Sequence, residues 1–255
     1  MIEVLRLPLA VAAGICAFCG YILGTGPVSS VSALLLFAAV TAIAAGTMPL
    51  NDLVDLRADK VNRPERPIPS GRVKPWQAVT LFLVLSVAGV GAAAFVNRPL
   101  AVAAASLLVV ATLYNLYGKR LGLAGNAMVS LCVGSTFTVG ALARSWPPGG
   151  VPVAMSAVTV LVSLALETAG DIHDAAGDRE SGNRSFTVTH GVRAATALYI
   201  TLCALVALLA CALPLLLDPG RLFSSLLSPV AWGFWPRPCG SQPLLDLRTA
   251  RRADG

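Results

Sequence analysis

At 255 residues, 56% hydrophobic and 13% charged, with a mean hydropathy of +0.74, the chain excludes a soluble domain and reads as an integral membrane protein. Its formal net charge of +6 matters less than where the charges lie, and no nucleic-acid partner is expected. The two histidines, His173 and His190, argue against a zinc site, and the six cysteines do not read as a disulfide framework.

In chain order, Arg6 precedes an apolar run that begins at Leu7. No polar mature domain follows, so this run is a first membrane helix rather than a signal peptide. Segments of spanning length, roughly 17–25 residues, are predicted at 7–25, 28–48, 76–96, 99–117, 124–143, 151–168 and 194–217. Gly24, Gly26 and Pro27 mark the first turn, Pro75 starts the third helix, and Pro147 to Gly150 separate the fifth from the sixth. Cys16, Cys132, Cys203 and Cys211 fall inside these segments, where a thiol packs as a small hydrophobe. The expected fold is all-α, a polytopic membrane helical bundle of about seven transmembrane helices with an atypical C-terminal tail. Residues 1–217 form the membrane domain, and 218–255 a Pro- and Arg-rich tail expected to be weakly ordered.

With the N-terminus on the cytoplasmic side, the N-terminal segment and the loops after helices two, four and six carry twelve basic residues. The opposite loops carry two, Arg98 and Arg144. That asymmetry predicts orientation by the positive-inside rule, in a multi-pass protein of the cell membrane.

Nine of the 13 acidic residues lie in the windows 52–65 and 167–180. Asp52, Asp55 and Asp59 stand at i, i+3 and i+7, which on a helix places three carboxylates on one face. Asp171, Asp174 and Asp178 repeat that spacing. Bare, such a face repels itself; a hard divalent cation neutralises it through oxygen ligands. Arg63, Arg66 and Arg72 follow the first trio among Pro64, Pro67 and Pro69, so the helix ends in a stiff basic loop. Acid cage beside basic clamp suits a diphosphate carried with Mg²⁺. Both trios fall on the cytoplasmic side and can face one cavity mouth. Glu167, late in a membrane helix, is costly there and is expected to be functional or paired.

The stretch NDLVDLRADKVNRPERPIPSGR (51–72) closely resembles the first motif of the UbiA superfamily of intramembrane prenyltransferases. DIHDAAGDRESGNRSF (171–186) resembles the second motif, and LYNLYGKRLGLAGN (113–126) the segment between them. The resemblance covers residues 1 to about 217. It implies an all-helical fold around a cavity open to the membrane core. The implied activity is transfer of a prenyl group (an alkyl or aryl group other than methyl) from a polyprenyl diphosphate to a hydrophobic lipid or aromatic acceptor, with Mg²⁺ as cofactor. By the same resemblance Asn51, Asp52, Asp55, Asp59, Asp171, Asp174 and Asp178 would hold metal. Arg63, Arg66, Arg72, Lys119 and Arg184 would contact diphosphate. Asp55, Asp174 and Tyr114 would stand nearest the reacting bond. Lys119 also falls where positive-inside charge sits anyway, and Tyr114 where interfacial tyrosine is common. Two departures stand out: Gly170 occupies a position usually basic in relatives, and relatives have eight or nine helices. Two other readings share the aspartates: a UbiA-type membrane terpene cyclase, and a non-catalytic membrane protein that binds a divalent cation or lipid diphosphate. Helix interiors nearly free of charge favour the enzyme over a transporter.

Overall fold

A computed structural model describes residues 2–118 and 121–216; Lys119 and the predicted tail at 218–255 lie outside the described residues. A 3-10 helix (Ile2–Leu5) leads into α1 (Leu7–Leu23), α2 (Ser30–Val54) and a short α3 (Leu56–Asn62). After the proline-rich loop come α4 (Pro75–Val96) and α5 (Arg98–Tyr117), then α6 (Leu123–Gly134) and α7 (Thr136–Leu142). A long α8 (Gly150–Ser181), a short α9 (Phe186–His190) and α10 (Val192–Leu216) complete the described chain. No strand occurs among these residues, and seven spans are long and apolar enough to cross a membrane.

Local chemistry sets the helix ends. The Ser29 side chain accepts from the Ser32 amide to open α2, and Asn97 accepts from Leu100 to open α5. The Gln77 side chain reaches back to the Lys74 amide at the start of α4. Gly182, at φ 78°, closes α8 in the left-handed region that suits glycine.

Packing follows from small residues. α2 lies between α1 and α4, and α8 between α6 and α10, while α1 also crosses α7. At that last crossing the backbones touch: a Cβ on Gly20 would fall 2.0 Å from the Phe137 carbonyl oxygen, and one on Gly140 1.8 Å from that of Ala17. The main core gathers Tyr21, Leu36, Leu100 and Val139 with several alanines. The outward surface is apolar instead, with Val87 and Phe95 exposed, as expected of a face that meets lipid. Opposite the acidic motifs, Arg144 donates to the carbonyls of Tyr21 and Ile22 at 3.1 Å each and to that of Gly26. It thereby satisfies the carbonyl end of α1. Burial pushes its guanidinium below its ordinary pKa, with Tyr21 opposing.

Three boundaries differ from the sequence reading. α2 runs on to Val54 and carries Asn51 and Asp52 within it, rather than stopping near residue 48. The predicted fifth helix is two, α6 and α7, separated at Ser135. Ser135 and Thr136 turn their hydroxyls onto the carbonyls of Leu131 and Val133, which bends the ladder. α8 continues past residue 168 through the whole second acidic motif, because nothing in 169–181 interrupts a helix until Gly182.

Candidate active site

The first motif is a broken helix locked by arginine. α2 ends at Val54, Asp55 sits at the junction with φ −80° and ψ 3°, and α3 resumes one residue later. Asp52, Asp55 and Asp59 are all buried, although the helix that was to carry them on one face breaks at Asp55. Burying carboxylates requires counter-charge. Asp52 pairs with Arg6, from the start of α1, and more distantly with Arg66 at 3.4 Å. Arg66 makes its closer bond to Asp59 at 2.7 Å. Asn51 donates to Asp55 at 3.0 Å.

The loop that carries these arginines folds on itself. The Val73 amide donates to the Pro67 carbonyl, and the Ser70 hydroxyl to that of Arg66. Val4 plugs its underside against Ile68, Val73 and Ala78. Arg72 turns toward this N-terminal segment, pairing with Glu3 at 2.7 Å and donating to the Glu65 carbonyl at 2.6 Å.

The second motif lies along the last turns of α8. Asp171 accepts from the Asn126 amide of α6 at 2.9 Å, and Asp178 from Asn183 at 3.1 Å. His173, within this motif, is exposed and bonded to Asp174 at 2.9 Å.

The two motifs meet. Arg63 stands 2.7 Å from Asp174 and 3.8 Å from Asp59, so one guanidinium spans both trios. Asn62 completes the junction, donating to the Asp174 carbonyl at 3.1 Å and accepting from the Gly177 amide at 3.0 Å. A side chain at Gly177 would fall 2.5 Å from the Asn62 amide, so this contact needs glycine.

Beside this junction opens a small cleft. Asp171, Asp174 and Asp178 line it together with Glu167 and Gly170, all from α8. Across from them stand Tyr114, Gly122, Asn126 and Ser185. Glu167 extends the acid row one turn toward the membrane core. Gly170 leaves open space: a Cβ there meets nothing within 4 Å.

A closed carboxylate cage is not what the trios form. Among the described residues no three His, Cys, Asp or Glu side chains gather tightly enough to hold an ion. Arginines stand between the acids instead. The donor chemistry nevertheless fits Mg²⁺, since the α8 wall is carboxylate oxygen with an amide beside it. Five residues of this site were not singled out in the sequence: Arg6, Asn62, Asn126, Gly177 and Ser185. Asn62 and Gly177 lie inside the motif stretches and were within reach; Arg6 is 46 positions from its partner and carried no local signal.

Comparisons with known proteins agree on one family. The model of the UbiA prenyltransferase family matches residues 13–237. Digeranylgeranylglyceryl phosphate synthase of Methanothrix thermoacetophila is 33% identical over 194 residues, 76% of this chain and 72% of that protein. The structure of a UbiA homolog from Aeropyrum pernix superposes with a TM-score of 0.74 at 24% identity, covering 88% of this chain and 86% of that one. A UbiA homolog from Archaeoglobus fulgidus bound to GPP and Mg²⁺ superposes with a TM-score of 0.71 at 17% identity, covering 91% and 86%.

Proposed function

The chain belongs to the UbiA prenyltransferase family, and from that premise we propose that it alkylates a glycerophosphate-type lipid with the prenyl group of a polyprenyl diphosphate in a Mg²⁺-dependent reaction. The observation that carries this reading is Arg63, whose guanidinium ties Asp59 to Asp174 and so brings both motifs to one cleft. The relatives named as digeranylgeranylglyceryl phosphate synthases support the acceptor class. The Archaeoglobus homolog bound to GPP and Mg²⁺ supports the donor and the metal.

Asp171, Asp174 and Asp178, joined by Asp55 and Asn51, are the residues that would hold Mg²⁺. A divalent cation held by them would neutralise the charge that grows on diphosphate as its bond to the prenyl carbon breaks. Asp52 and Asp59 reach this chemistry through the arginines they hold: Arg66 and Arg63 are kept at the mouth by buried carboxylates. Arg63 and Arg66 present cations to the departing diphosphate, and by the motif alone Arg184 and Lys119 would add theirs. Arg72, turned to Glu3, braces the loop from below. Tyr114 lines the cleft, where it would stand near the carbon end of the donor. Exclusion of water there protects the allylic cation until the acceptor oxygen attacks. Positive-inside charge supports a cytoplasmic mouth.

The test is incubation of the protein in liposomes with labelled geranylgeranyl diphosphate, Mg²⁺ and a panel of acceptors. A labelled ether lipid formed with a glycerophosphate acceptor, and lost on chelation, is the expected result. Label appearing as cyclised hydrocarbon without acceptor indicates a cyclase. Donor left intact in every arm refutes the proposal.

A further inference from the structure

Several hydroxyls in this protein are buried without a hydrogen-bond partner among the described residues: those of Thr41, Ser86, Ser130, Ser185 and Thr187. A buried donor left unmade is costly, so each calls for a reason. Among these residues Ser185 is the one that lines the cleft of the acid row. It is 6% exposed. It also occupies the N-cap of α9, where a serine oxygen ordinarily accepts from the first turn, yet it makes no such bond. Its backbone carbonyl accepts the Thr189 amide, the ordinary first bond of the helix, while its hydroxyl takes no part in the cap.

The wall of that cleft is carboxylate. A hydroxyl there has no bond to Asp171, Asp174 or Asp178, although all line the same cleft. A cation alone would not use a hydroxyl as donor, and a bare anion would be repelled by the acids. A phosphate-type ligand carried with its own divalent cation satisfies both sides. The surroundings add to this. Arg184 precedes Ser185 in the chain, and Gly122, at φ 55°, comes so close that a Cβ would stand 3.0 Å from the Arg184 carbonyl. Gly122 thus packs directly against the backbone beside Ser185.

We propose that the Ser185 hydroxyl is a substrate-binding group, donating a hydrogen bond to a phosphate-type oxygen held in the cleft. The inference rests on the reading that the cleft binds a diphosphate. A donor diphosphate and a phosphate-bearing acceptor share this chemistry, and the test separates them.

Thermal unfolding of the detergent-solubilised protein is measured alone, with Mg²⁺ and inorganic pyrophosphate, and with Mg²⁺ and glycerol 1-phosphate. Ser185→Ala removes an unpaired donor, so its unfolding temperature without ligand equals or exceeds that of the wild type. Its stabilisation by pyrophosphate falls, and the donor KM rises about 10-fold to 100-fold, the worth of a hydrogen bond to a charged group. Loss confined to the glycerol phosphate arm assigns the hydroxyl to the acceptor instead. Ser185→Thr keeps the hydroxyl and restores the response. Ser86→Ala, which removes another unpaired hydroxyl in α4, leaves both ligand responses unchanged. Two results overturn the proposal: Ser185→Ala unfolding several degrees lower without ligand, or responding to both ligands as the wild type does. A wild type that responds to neither ligand fails the functional reading itself, a separate outcome.

Discussion

The two acidic motifs share one spacing and do different physical work. In the first, Asp52 and Asp59 are sealed under Arg6, Arg63 and Arg66 on a helix that breaks at Asp55. In the second, Asp171, Asp174 and Asp178 line a cleft from a single continuous helix, and Asp171 and Asp178 accept from neutral amides. The difference teaches that a D-x-x-D-x-x-x-D pattern fixes a face, not a charge state. What surrounds the face decides whether it anchors cations of the protein or cations of the ligand.

That contrast can be broken most forcefully at Asp174, the one carboxylate bonded to the bridging arginine and open to the cleft. Asp174→Ala is expected to lower Mg²⁺-dependent diphosphate release by about 10³-fold, the scale for removing one preorganised charge-stabilising group. Release of labelled diphosphate from liposomes measures it. A smaller cost, in stability rather than rate, belongs to the first motif. Arg66→Ala leaves Asp59 to Arg63 at 3.8 Å and strips one partner from Asp52. Uncompensated buried charge costs about 3 kcal/mol, and adding Asp59→Asn should recover part of it in thermal unfolding.

Ligand binding sharpens the distinction further. At roughly 100 times Kd, Mg²⁺-pyrophosphate stabilises a protein by about 2.7 kcal/mol. Asp171→Asn should lose most of that gain, while Asp52→Asn keeps it. Equal losses would show that the motifs do the same job after all. The smallest expected effect is at Gly170, where a Cβ meets nothing within 4 Å. Gly170→Ala should stabilise α8 by up to about 1 kcal/mol from helix propensity alone, read as a raised unfolding temperature.

Hydropathy was enough to place the seven spans, because lipid-facing helices such as α4 expose Val87 and Phe95 and need no partner to be recognised. Spacing was enough for the shared face of the second trio. The break at Ser135 was not legible, since serine and threonine bend a helix only when their hydroxyls turn onto its carbonyls. Nor was the charge-locking of the first motif. Arg6 follows the positive-inside pattern as well as it fits Asp52, and only tertiary folding joins two residues so far apart. His173 shows the converse: it sits within the second motif, yet one residue from Asp174 on a helix it points elsewhere, to solvent.

The continuity of α8 has one more consequence. At about 1.5 Å per residue, its 32 residues measure about 48 Å, well beyond a hydrocarbon slab of about 30 Å. The same rod that is seated in lipid therefore projects the acid row into the headgroup layer. Its depth in the bilayer and the compass bearing of its carboxylates are geared together, so that adding one residue below Glu167 would lift the row and swing it by about 100°.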